Sequence, residues 1–329
     1  MPSQLETEIA RYRAALTAQD AAAQARLIAS YQRTRKRLIA DVRALGQITE
    51  IRQNPGKLYR HDRAVALLGH IETELQGLGA QVTQDSVHTQ RILARAGAAE
   101  AQRLAELQTP GLRGAFTALP TRSIESITGM LGDGSPFAES AGTIFGAMKG
   151  QALQQIEQGL ALGEDPLALI RRVSRAADRT FVSRVQPLVR GALLGANRQA
   201  SLETYRENDD LISGYLRLAA KSGTTCLACL ALDGTTYPLD RMMPLHANCR
   251  CSLVPIVKGA KLAFQTGQEW FAAQPEAFQR RRLGDAAFEE YRAGRLGLER
   301  FVAETEDPRW GRTVRERSRR AALAQLELL

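Results

Sequence analysis

Four cysteines and one histidine are the residues of this chain whose types and spacing could do chemistry. The segment reads Thr225-Cys226-Leu227-Ala228-Cys229, then nineteen residues, then Cys249-Arg250-Cys251, with His246 three positions before Cys249. All four Cys of the 329-residue chain lie here, while His61, His70 and His88 fall far away near the N-terminus. A Cys-x-x-Cys knuckle lets two thiolates face one tetrahedral ion at about 2.3 Å from each sulfur. A second pair roughly 15 to 20 residues later completes a ribbon or finger. His246 and Cys249 supply that pair, and Cys251 can substitute. The candidate ligands are therefore Cys226, Cys229, His246, Cys249 and Cys251, and the expected cofactor is a structural zinc ion. Disulfides, buried free thiols and a redox pair are the other fates open to such cysteines, although no βαβ pattern surrounds the Cys-x-x-Cys. An alternating strand from Cys249 would place Cys249 and Cys251 on one face, one as ligand and the other packed below it.

Catalysis fits these residues poorly. A zinc hydrolase needs an open coordination position and a nearby general base. Base deaminases use His-x-Glu followed by Pro-Cys-x-x-Cys; here the Cys-x-x-Cys comes first and no His-x-Glu occurs. The glycine-bearing stretches 132–136 and 142–149 lack the Gly-Lys-Ser/Thr triplet of a phosphate loop. The expectation is a protein that is not an enzyme.

Composition bounds the partners. Lys and Arg total 44 against 35 Asp and Glu, a formal charge of +9, which favours polyanionic partners such as nucleic acid. Six of the basic residues are Lys, which leaves 38 Arg. Between 224 and 251, however, only Arg241 and Arg250 are basic, sparse for a finger that reads DNA. There is no run of 18 apolar residues and no basic, apolar leader, so neither a membrane span nor a secretory signal is expected.

The elements that must carry the cysteine unit read as mainly helical. Leu5, Ile9, Tyr12 and Leu16 step by four, three and four along one face, behind a Ser3-to-Glu6 capping box. The pattern continues to Leu45 and breaks at Asn54-Pro55-Gly56. A second tract runs from Arg60 to Leu78, weakens at Gly77 and Gly79, and resumes from Ser86 to Leu107. Two long helices folded back as a hairpin, bundle or coiled coil are expected over 1–110. A helical core follows, with Asp165-Pro166 opening one helix and Pro187 beginning another. After Asn208 the periodicity shortens: Tyr215–Ala219, Thr235–Tyr237 and Cys249–Ile256 read as small strands, with Asp233-Gly234 as a turn. From Lys258 the chain is expected to be helical to its end. There Arg309-Trp310-Gly311-Arg312-Thr313-Val314-Arg315-Glu316-Arg317-Ser318-Arg319-Arg320 carries six Arg against one Glu. As a helix it would put Arg312, Arg315 and Arg319 on one face, with Trp310 at its start and Leu323, Leu326 and Leu329 docking it. Arg309, Arg312, Arg315 and Arg319 are thus candidate contacts to DNA or to an acidic protein surface, or simply a solvated face.

Thr225-Cys226-x-x-Cys229-x-x-Leu232-Asp233-Gly234, followed by Pro244-x-His246-x-x-Cys249-Arg250-Cys251, resembles the signature of the phage Mu F-like minor head proteins, the phage head morphogenesis family. The helix bearing Arg190, Ala196, Asn197 and Arg198 is similar in kind. The resemblance covers about residues 120–257, and its specific motif covers 224–256. Two departures are Ala247, where Pro commonly follows the His, and Lys221-Ser222-Gly223, where an Asp before the Thr-Cys is usual. Neither removes a candidate ligand. The resemblance implies a minor capsid component, bound at or near the portal in few copies and acting in head assembly, DNA packaging or ejection. Its partners would be the portal protein, inner capsid proteins and packaged DNA, and its location the virion after assembly in the host cytoplasm. It divides the chain into a helical region 1–110, a head morphogenesis domain 111–257, and a basic C-terminal region 258–329. The last is too short for the toxin or ADP-ribosyltransferase modules some relatives carry. The alternative is a zinc-ribbon nucleic-acid-binding protein.

Overall fold

The computed structural model describes residues 4–326 except Arg113, Ala247, Lys261, Ala263 and 308–310. Ser3, Ala247, Arg309, Trp310 and Leu329, all given roles above, lie outside the described residues.

The two long N-terminal helices are α1 (Gln4–Gly46) and α3 (Asp62–Gln108), of 43 and 47 residues, about 65 and 70 Å at 1.5 Å per residue. A short helix α2 (Thr49–Gln53) and a 3-10 turn (Pro55–Arg60) join them at the Asn-Pro-Gly break. Ile9, Tyr12, Leu16, Ala23, Leu27, Tyr31, Leu38, Val42 and Leu45 are buried along α1, the stripe that the spacing predicts. Gly77 and Gly79 do not interrupt α3. A Cβ at Gly79 would stand 3.0 to 3.2 Å from the Phe145 side chain, so the missing side chain admits a close neighbour and the helix runs through. The remaining helices are α4 (Thr121–Ile127), α5 (Phe137–Ala161), α6 (Pro166–Thr180) and α7 (Gln186–Arg206). Among the described residues no helix is long and apolar enough to cross a membrane.

The chain forms two compact units, each assembled from separate segments. One comprises 19–90 and 128–193 and is helical apart from its connections and an isolated bridge between Met130 and Pro136. Within it α1 and α3 run antiparallel, with Asp41 2.7 Å from His70 and Arg37 2.9 Å from Glu74. Tyr31 stacks on Phe181 at 3.9 Å and donates a hydrogen bond to Asp178. Asp165 caps α6 by accepting from Leu167 and Ala168 N–H. As the sequence reading has it, α7 opens at Gln186, one residue before Pro187, although no break separates it from α6. A π turn (Phe181–Val185) links α6 directly to α7; such a wider turn accommodates a residue that cannot donate an N–H and whose ring would clash one turn back.

The other unit comprises the first 18 residues, 91–127 and 194–329, and it holds the cysteines. Its helical part repeats the antiparallel pairing, with Arg11 on Glu100 and Glu8 on Arg103. A three-stranded antiparallel sheet follows α7, in the order β2 (Thr236–Tyr237), β1 (Ile212–Leu218), β3 (Ser252–Val257). Asn208 ties the end of α7 to Thr117 and Thr204. A short helix α8 (Leu227–Ala231) lies between β1 and β2.

The C-terminal region is helical only in part, which corrects the expected helical tail. After α9 (Gly267–Ala272), α10 (Glu276–Leu283) and α11 (Asp285–Arg292), a hairpin of β4 (Val302–Asp307) and β5 (Gly311–Glu316) precedes a last helix, α12 (Arg319–Leu323). The β-branched residues Val302, Thr305, Thr313 and Val314 favour the strands over a helix. The mainly α fold with a small cysteine-rich β unit stands.

Candidate metal centre

Local structure brings the five candidate ligands together. Cys226 is the N-cap of α8, its Sγ accepting the Cys229 N–H at 3.3 Å, so one helical turn aims both sulfurs the same way. The Asp233-Gly234 turn, with Gly234 at φ +87°, returns the chain to β1. His246 and Cys249 are joined by a tight turn, Cys249 N–H donating to His246 C=O at 3.0 Å. Asn248 takes the left-handed conformation there at φ 64°, one that Asn tolerates better than most residues. Cys251 leads into β3.

Cys226 Sγ lies 3.4 Å and Cys229 Sγ 3.1 Å from His246 Nε2, and Cys229 Sγ lies 4.0 Å from Cys249 Sγ. A tetrahedral edge around an ion with sulfur at about 2.3 Å is about 3.8 Å, whereas a disulfide needs about 2.05 Å. The four thiols are free. Two groups could hold a metal ion, Cys226 with Cys229 and His246, and Cys229 with Cys249 and Cys251. Cys229 belongs to both.

The protonation of this cluster is lopsided. Hydrogen bonding with Cys229, and then with His246, brings Cys226 down to about 4 against the effect of burial. Cys249 is lowered too, first by its bond with Cys229. Cys229 is raised, first by its bond with Cys226. For Cys251 the Cys229 contact pulls down, but Cys249 and burial push harder and raise it to about 12. Burial lowers His246, yet the Cys226 and Cys249 sulfurs outweigh it and lift the imidazole to about 10. Thiolates this close compete for charge, and a bound divalent cation lets them ionise together.

Comparison of the chain with protein-family models, with curated proteins and with solved structures gave no match.

Two buried arginines face this cluster, and the sequence reading named neither as a site residue. Arg217, in β1, is fully buried. Its Nη1 donates to Pro244 C=O at 2.8 Å, and its Nη2 lies 3.4 Å from Cys229 Sγ and 3.8 Å from Cys249 Sγ. Arg198, in α7, donates to Cys251 C=O at 2.7 Å and Cys249 C=O at 2.5 Å. The signal for Arg217 was a charge inside the apolar run Tyr215-Leu216-Arg217-Leu218-Ala219; Arg198 carried no such mark.

The C-terminal segment grips the same knuckle. Val314 N–H donates to Leu245 C=O, beside His246, and Glu316 accepts the Leu227 N–H at 2.8 Å, beside Cys226. Arg282 donates to Thr225 C=O. Leu227 and Leu230 of α8 bury themselves among Phe271, Phe288 and Phe301.

The arginine face proposed for the C-terminus does not form as a helical stripe. Arg312 and Arg315 sit on β5, three residues apart and so on opposite faces of the strand. Arg312 pairs with Glu304 at 2.5 Å. Arg319 begins α12 and donates to the carbonyls of Arg281 and Arg282 near the end of α10. Arg315 is exposed.

Proposed function

We propose that this protein is a minor head-assembly component of a tailed phage or prophage, acting at or near the portal, whose cysteine unit is folded around one zinc ion. The observation that carries the reading is that residues of the head-morphogenesis signature gather around Cys229, with Cys226 and His246 in one group and Cys249 and Cys251 in the other, and with 3.4, 3.1 and 4.0 Å between Cys226 and His246, His246 and Cys229, and Cys229 and Cys249. Three sulfurs and one imidazole suit zinc, a borderline-soft ion with no geometric demand of its own. Cys249 is taken as the fourth ligand because it contacts both Cys229 and His246, whereas Cys251 contacts Cys229 and Cys249.

Four protein ligands leave no open position for substrate, so the ion staples the fold and does not activate water. The chain then acts by stoichiometry, bound to portal or inner capsid. Ligands drawn from α8 and from the loop before β3 turn metal-binding free energy into folding free energy for the sheet unit.

The test is to purify heads from an infection or induction of the genome that encodes the chain. The protein should travel with portal and capsid, and its deletion should give defective heads while DNA replication proceeds. Heads that lack it, or a chain that travels with bulk DNA and not with the portal, would overturn the assembly role and favour the nucleic-acid-binding alternative.

A further inference from the structure

Arg217 poses a physical problem that its sequence position does not solve. Among the described residues it is the largest side chain wholly removed from solvent. Among the described residues no carboxylate pairs with it. Its Nε has no hydrogen-bond partner, and its only oxygen contact is the Pro244 carbonyl. An isolated buried cation is costly, because the interior replaces neither its hydration nor its counter-ion. The groups that do surround it are the sulfurs of Cys229, Cys249 and Cys251. A neutral thiol is a weak acceptor. A metal-bound thiolate is an anion, and three of them around a divalent ion leave an excess of negative charge.

We infer that Arg217 is a positioning residue of the metal centre, donating N–H···S hydrogen bonds to the thiolates of Cys229 and Cys249 while Pro244 C=O holds its fork in place. This rests on the zinc reading above. The charge carried by Arg217 answers the excess on the ligands. Its hydrogen bonds draw electron density from the sulfurs, which makes them poorer nucleophiles. The arrangement suits a centre that must stay inert, and outer partners of this kind typically govern metal affinity by 10- to 100-fold. Arg198 has a different task, since it binds backbone carbonyls of Cys249 and Cys251 and not sulfur.

The test uses the full chain and its Arg217→Met and Arg217→Lys variants, with zinc affinity read by chelator competition and cobalt(II) as a spectroscopic probe. The wild type should bind one ion per chain. Arg217→Met should bind zinc about 10- to 100-fold more weakly. Its sulfur-to-cobalt charge-transfer band should move to lower energy, and its metal-bound thiolates should react faster with iodoacetamide. Arg217→Lys, which keeps the charge but loses the fork, should recover part of each change. A loss of packing alone would not shift the band or be relieved by Lys. If Arg217→Met does not fold, the wild type loaded with cadmium-113 decides: an arginine side-chain N–H should show coupling to the metal through sulfur. Variants that bind with wild-type affinity and an unchanged band, or a folded cadmium form without that coupling, would overturn the role of Arg217 alone. A wild type that takes up no metal would instead overturn the zinc reading on which it rests.

Discussion

Along α1 and α3, buried residues recur every three or four positions from Ile9 to Leu45 and from Ala64 to Leu104, mostly apolar but with Asp20, Thr34, Ser86 and Gln90 among them, whereas in residues 212–257 five side chains that could hold a metal ion form two groups sharing Cys229, with Arg217 against them. In the helices each contact is modest and has many equivalents; exposed ion pairs such as Arg37 with Glu74 add only about 0 to 1 kcal/mol. In the cysteine unit the strands are short and β2 has only two residues, too little sheet to stand alone. Loss of one residue should therefore be tolerated in the first region and should disable the second.

The largest expected effect is at Cys229, the residue common to both cysteine groups. Cys229→Ser should abolish metal binding and unfold 212–257 while α1 and α3 stay helical. A structural zinc contributes on the order of 10 kcal/mol or more to small zinc domains, well beyond what this sheet can replace. Hydrogen exchange would show protection lost in the sheet and kept in the helices. Uniform loss of protection would show that the two regions do not differ in this way.

The second effect is a pH dependence confined to the cysteine unit. In the metal-free site Cys226, at about 4, and the lowered Cys249 are already thiolates at neutral pH, while the raised Cys229 and His246, at about 10, still hold their protons. Binding to these four ligands should release about two protons. Affinity should then rise with pH through neutrality and fall on acidification, by about 100-fold per unit. Calorimetry in two buffers of different ionisation enthalpy would count the protons; release of none would contradict this protonation pattern.

What was legible in the sequence follows the same division. The helical stripes could be read because each is a local period, and the cysteine knuckle because its spacing is short. Arg217 could be suspected only from its apolar neighbours, since its partners lie on α8 and on the loop before β3. The hairpin of β4 and β5 was hidden by its charges: Glu304, Glu306, Arg312 and Arg315 mimic a solvated helix, while among the described side chains of β5 Val314 alone is buried. Gly77 and Gly79 suggested a break because composition does not tell whether a glycine faces a neighbour or open space.

That last distinction gives the smallest effect and sharpens the account of the helices. A Cβ at Gly77 would meet nothing within 4 Å, whereas one at Gly97 would stand 2.3 Å from the Asn197 carbonyl oxygen. Gly77→Ala should stabilise the chain by about 1 kcal/mol through helix propensity, and Gly97→Ala should destabilise it by about 1 to 3 kcal/mol through overpacking. Denaturant midpoints of the two variants should move in opposite directions, and metal content should follow neither.

Elemental analysis and zinc-edge X-ray absorption on the purified chain decide whether one zinc ion organises the cysteine unit. One zinc per chain, with three sulfurs and one nitrogen around it, is the expected result. A metal-free chain carrying a disulfide among Cys226, Cys229, Cys249 and Cys251, with residues 212–257 still folded, would contradict it.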